Sequence, residues 1–226
     1  MSMKTLGASR AALILATLWG LCGAAAAQTS DIGLVNQLSG EVVYAGDSGV
    51  PAPATPFMKI RAGDRFTVSA GAAIRVIYFK SSRQESWRGP ASFRVGGAQS
   101  ELISGKVDAS ELPAPVALKM SRVPDVMLGA RLGGVTLRSL SPAPRARPNA
   151  DERAEIARAQ STYQTLRAQA PADDIGPELY LTSVLQEYGQ YQEMKPLVAA
   201  MQKQMPGSTE LRDLAAAVER WSAAQK

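Results

Sequence analysis

The sequence predicts an α+β, multidomain protein: an N-terminal all-β antiparallel sandwich or roll, then a C-terminal set of α-helical hairpins. Two observations predict it. Between Gly33 and Leu112, turn residues recur about every ten residues between short apolar stretches, the rhythm of a compact antiparallel fold. Beyond Asn149 the apolar residues fall at helical intervals, and the proline-dense "SPAPRARP" separates the two patterns as an extended linker.

Residues 1–27 read as a signal peptide. Lys4 and Arg10 precede the apolar run Ala11 to Leu21, and Ala24 to Ala27 supply small residues for cleavage after Ala27. The expectation is a bacterial protein exported to the periplasm. The apolar run falls short of the ~20 residues that a bilayer span needs, so the membrane is expected to matter only at the signal-peptide stage. A retained anchor and a lipid on Cys22 stand as alternatives, the second disfavoured by the bulky Leu21. If Cys22 is removed, the mature chain has no cysteine, and packing rather than disulfides must hold it together.

The β domain is expected over 28–140, the linker over 141–149 and the helical domain over 150–226. Strands are expected in turn within "GLVNQLSGEVVYAG", "FMKIRAGDRFTV", "AAIRVIYFKS", "ESWRGPASFRVGG" and "SELISGKVDAS". In "AAIRVIYF", Ile74, Val76 and Tyr78 point one way and Arg75, Ile77 and Phe79 the other. Both faces are largely apolar, so this strand should be central. In "ASFRV" only the Ala91, Phe93 and Val95 face is apolar, as in a strand covered on one side. From Val116 to Leu140, "VALKM", "VMLGA" and "VTLRSL" read as further strands completing the β domain, interrupted by Pro124 and by Gly133-Gly134.

Asn149 is placed to cap a helix whose first turn holds Asp151, Glu152 and Glu155 and which Pro171 ends. Further helices are expected over about 177–188, 190–205 and 208–223. Charge divides with the pattern: residues 28–150 carry 15 Lys or Arg and 9 Asp or Glu, whereas 151–226 carry 8 and 11. Such halves can attract acidic partners or each other.

The order "GLVNQLSGEVVY", "IRAGDRFTVSAGAAIRVIYF", "KSSRQ", "WRGPASFRV" and "LISGKV" resembles the FecR domain, an exported β module of bacterial surface-signalling regulators and other envelope proteins. Lys80-Ser81-Ser82 replace the Asp-Gly that usually ends the strand before that family's turn. FecR regulators also carry a sigma-factor-holding arm before a membrane span. Here a signal peptide precedes the β domain, which argues against direct transcriptional signalling. In the tail, Gly189, Tyr191 and Pro206 keep the spacing of a tetratricopeptide repeat, with Leu181, Leu185, Met194, Val198 and Met201 at packing positions. The tail resembles a second helix, one full unit and a final capping helix from Ser208 to Trp221. A single unit falls below the ~3 repeats that stand alone, so it should lean on the β domain or on a partner.

The chain contains no histidine, which removes the usual player in acid–base catalysis, Ser-His-Asp hydrolysis and most zinc sites. Ser104 and Lys106 lack the burial that a Ser-Lys mechanism requires and are expected to line a hairpin. Asp151-Glu152 and Asp173-Asp174 lie at helix starts, where capping accounts for them. A non-enzyme is expected, with no catalytic residue, cofactor or metal.

Binding is the remaining class. Arg75, Lys80, Arg83 and Arg88 lie near Tyr78, Trp87 and Phe93, a mixture that single-strand binders use. Export argues against nucleic acid, and these cations become candidate contacts for an acidic protein, acidic glycan or peptidoglycan. The repeat register puts Leu179, Ser183, Gln186 and Glu187 on a peptide-binding groove. The expected function is a periplasmic or cell-envelope binding or scaffolding protein with protein partners. Two alternatives stay open: the periplasmic component of a transporter-sensing FecR-type system, and an envelope glycan-binding protein.

Overall fold

A computed structural model describes residues 30–132 and 147–225. The signal-peptide segment, "VTLRSL" and residues 141–146 of the expected linker lie outside that range. Among the described residues the chain is α+β, with ten strands in two five-stranded antiparallel sheets and six helices. The strands are β1 (Gly33–Ser39), β2 (Val42–Ala45), β3 (Pro51–Pro53), β4 (Lys59–Ile60), β5 (Arg65–Val68), β6 (Ala73–Tyr78), β7 (Arg83–Arg88), β8 (Ala91–Val95), β9 (Ser100–Ser104) and β10 (Val107–Glu111). One sheet runs β10-β7-β6-β1-β4 and the other β3-β2-β5-β8-β9.

The two sheets enclose a core that takes Val35, Ile74, Val76 and Trp87 from the first and Val42, Phe66, Ala91, Phe93 and Val95 from the second. Phe93 stacks between Phe66 and Trp87, with ring centroids 5.2 and 4.4 Å away. β6 is central, as its two apolar faces predict. Ile74, Val76 and Tyr78 enter the inter-sheet core, while Ile77 joins the helices on the opposite face. β8 alternates as expected, with Ala91, Phe93 and Val95 buried. β3 has no counterpart in the sequence reading, because its two prolines disguise it; an edge strand tolerates them where a central strand would not. Ser104 and Lys106 do not line a hairpin. Gly105, at φ +93°, turns the chain from β9 in one sheet to β10 in the other.

The further strands expected after Leu112 are not found among the described residues. Two helices stand there instead, α1 (Ala114–Met120) and α2 (Val123–Arg131). Pro115 and Pro124 each occupy the first turn of a helix, where a missing N–H removes no intrahelical bond. Val116, Ala117 and Met120, then Val123, Val126, Met127 and Ala130, bury one face of each helix. Thus 114–131, assigned above to the β domain, pack with the helical half.

The remaining helices match expectation closely: α3 (Ala150–Gln169), α4 (Gly176–Glu187), α5 (Tyr191–Gln204) and α6 (Thr209–Ala223). Asn149 caps α3 in a full capping box: Asn149 Oδ1 accepts from the Glu152 N–H at 2.9 Å, and the Asn149 N–H donates to Glu152 Oε2 at 2.8 Å. Gly189, at φ +68°, makes the turn between α4 and α5. α2 packs on α6, α1 on α4, and Leu34 and Ile77 extend this core onto the sheet.

Ile77 is fully buried at the junction of sheet and helices. Ile77→Ala should cost about 2–5 kcal/mol. Urea unfolding followed by both tryptophan fluorescence and far-UV circular dichroism should move by the same amount, because the residue belongs to strand and helical core together.

Candidate functional site

Because side chains alternate along a strand, the helix-facing side of the first sheet carries Leu34 and Gln37 from β1, Ile77 and Arg75 from β6, Gln84 and Ser86 from β7, and Ser110 and Asp108 from β10. Its apolar part lies beneath the helices. Its polar part meets the turn between α3 and α4, and Asp174 is the joint. Asp174 Oδ1 lies 3.1 Å from Arg75 Nη1 and accepts from the Gly176 N–H at 2.8 Å. Asp174 Oδ2 accepts from Gln84 Nε2 at 3.0 Å. Arg75 also donates to Ser86 Oγ at 2.9 Å and Gln37 Oε1 at 2.7 Å, and Gln37 Nε2 donates to the Asp173 carbonyl at 2.7 Å. Helix capping therefore describes only part of what Asp174 does.

Beside this joint a cavity of about 310 Å³ opens between β10, α1 and the α3–α4 turn. Arg75, Gln84, Ser86 and Asp108 contribute its polar lining, and Val116, Met120, Leu166 and Pro171 are among its apolar lining. Gln84 is buried and its Oε1 has no hydrogen-bond partner. Asn36, fully buried at the β1 bulge, has neither amide atom partnered.

The sequence candidates scatter. Arg75 is spent on Asp174. Arg83 bonds the buried Glu85 at 2.6 Å, and Glu85 also accepts from the Ser100 N–H at 3.2 Å. Lys80 and Arg88 are exposed, but they flank opposite ends of β7, a strand about 17–20 Å long at the usual rise. No single basic surface unites the four.

Leu179, Ser183 and Glu187, spaced by four, share one face of α4. Leu179 and Ser183 are buried, so they line no open groove. Glu187 shows what lies over that face: it pairs with Lys119 of α1 at 2.6 Å and with Arg122 at 2.8 Å. Gln186 is half-buried beside it. The chain's own α1 packs over this face of α4. The signal for this in the sequence was the helical spacing from Val116 to Ala130.

The edges of the sheets differ. β3 is blunted by Pro51 and Pro53, and β4 has two residues, with Lys59 paired to Asp31 and Asp125 at 3.2 Å. β9 and β10 are five-residue edges, largely exposed, and β9 shows Leu102 and Ile103, 59% and 56% exposed. Among the described residues, no helix is long and apolar enough to cross a membrane, and no group of His, Cys, Asp and Glu is gathered as a metal site. No family model matches the chain, and no curated protein or solved structure does so either.

Two outcomes follow. Arg75→Met should destabilise the fold by about 3–5 kcal/mol in urea titration, since it leaves the buried Asp174 without its cation. For Glu187, burial pushes the carboxyl up, but hydrogen bonds and charge from Lys119 and Arg122 outweigh it and hold it below the usual carboxylate range. A depressed folded value means that the contribution is complete above the unfolded value, about 4.3, and disappears as pH falls through the folded one. The stability gap between the parent and Glu187→Gln should be present at pH 7 and close toward pH 3.

Proposed function

We propose that this chain is a non-enzymatic binding or scaffolding protein of the bacterial cell envelope, built from a FecR-like β domain and a tetratricopeptide-like helical tail. The observation that carries the reading is the contrast between its surfaces. The helical groove is filled from within by α1, while β9 and β10 present open edges and exposed Leu102 and Ile103. Unpaired strand edges accept added strands, and most proteins blunt them. Here one end of each sheet is blunted and the other is not. The helices serve the binding surface indirectly, by fixing the first sheet from behind.

Photo-crosslinking in cells tests this. A photoreactive residue at Leu102 or Ser110 should capture a discrete envelope protein, and one at Gln186 should not. Mass spectrometry of the purified protein should give an N-terminus at Gln28. Saturable hydrolysis of peptidoglycan or peptides, lost on changing a single carboxylate, would overturn the non-enzymatic reading.

A further inference from the structure

We infer that β10 and the cavity beside it form one peptide site, which takes an extended segment of a partner along the free edge of β10 and lodges a basic side chain of that segment in the cavity. This deepens the binding reading above and rests on it.

Three observations converge. First, β10 ends its sheet among the described residues, with Asp108 through Glu111 all exposed, so its outer backbone groups are open to an added strand. Second, the cavity begins at that strand: Asp108, Ser110 and Glu111 line it, as do Gln84 and Ser86 one strand further in. Adjacent strands lie about 4.8 Å apart, so a strand added outside β10 lies about 9.6 Å from β7, and a long side chain on it, directed toward the helices, crosses β10 and enters the cavity on its Asp108 and Ser110 side, facing Gln84. Third, the chemistry inside calls for a cationic donor. Arg75 is the one cation of the lining and is spent on Asp174, which leaves the Asp108 carboxylate on the helix-facing side of β10 without a counter-charge.

Gln84 Oε1 supplies the specific element. The residue is 8% exposed, lines the cavity and has its Nε2 committed to Asp174, yet its acceptor oxygen is unpartnered. A Cβ added to Gly176 would stand 3.0 Å from Asp174 Oδ1 and 3.5 Å from that oxygen, so a larger residue there would crowd the carboxylate and the acceptor together. A buried acceptor without a donor is costly, and an incoming N–H would offset that cost. The apolar walls, Val116, Met120 and Leu166 among them, suit the methylene stem behind a lysine or arginine head. Main-chain bonds along β10 would give affinity, and the cavity would select the side chain.

The test uses the purified protein and fluorescein-tagged heptapeptides of alternating threonine and valine, with lysine, norleucine or glutamate at the centre. Anisotropy should show saturable binding of the lysine peptide, at least about ten-fold tighter than the glutamate peptide. Hydrogen exchange at the amides of 107–111 should slow when the lysine peptide is bound. Asp108 is exposed and unpartnered, so Asp108→Lys should leave the melting temperature unchanged and abolish the preference. Equal binding of the three peptides, no saturable binding, or indifference to Asp108→Lys would overturn the proposal. So would full competition by n-butylamine with no slowing at 107–111, which would mean a small-amine cavity without strand addition. Capture from Leu102 alone would leave the scaffolding reading standing while this inference fell, whereas hydrolytic turnover would remove that reading and leave peptide binding measurable.

Discussion

Asp174 ties the molecule together. Its two carboxylate oxygens meet a guanidinium from β6, an amide from β7 and the first N–H of α4, so one side chain fixes the sheet, the turn and the helix start relative to one another. Its backbone takes part as well, since the Asp174 carbonyl accepts from Arg167 of α3 at 2.6 Å. A carboxylate as buried as this one is tolerated because three donors, one of them a guanidinium, meet its two oxygens. The ion pair does not itself supply the stability of the fold, which comes from apolar burial around Ile77, Met120 and Leu179. It supplies the register in which that burial occurs.

The unequal charge of the two halves has a structural outcome. The ion pairs Arg75–Asp174, Lys119–Glu187 and Arg122–Glu187 all run from a cation in the first half to a carboxylate in the second. Glu187 sits at the far end of α4 from Asp174, so the helix is pinned at both ends, by the sheet at one and by α1 at the other.

The sheets and the four later helices were legible in the sequence because their signals are local. Gly105 and Gly189 mark turns, Asn149 and Glu152 make a capping box, and Ile77 announces a second buried face on β6. The segment 114–131 gives a mixed local signal: Pro124 breaks a strand pattern but fits the first turn of a helix, and Val123, Val126, Met127 and Ala130 carry the helical spacing that the fold adopts. The Arg75–Asp174 joint left no local trace. Asp173-Asp174 looks like any acidic helix start, and only the tertiary fold brings a strand arginine beneath it. The burial of Leu179 and Ser183 is invisible in the sequence for a related reason: helical spacing shows which residues share a face of α4, but not that α1 of the same chain packs on that face.

The filling of α4's groove by α1 also sets an order of events during synthesis. The β strands, α1 and α2 all leave the ribosome before α4 and α6, the surfaces against which α1 and α2 pack. Until then the apolar faces of α1 and α2 and the Ile77 side of β6 lack their helical cover, and Arg75 lacks Asp174. Such long-range closure slows folding and prolongs exposure of sticky surface. The surfaces that close over α1 and α2 are thus made after both of them, and the helical core is complete only once α6 has emerged.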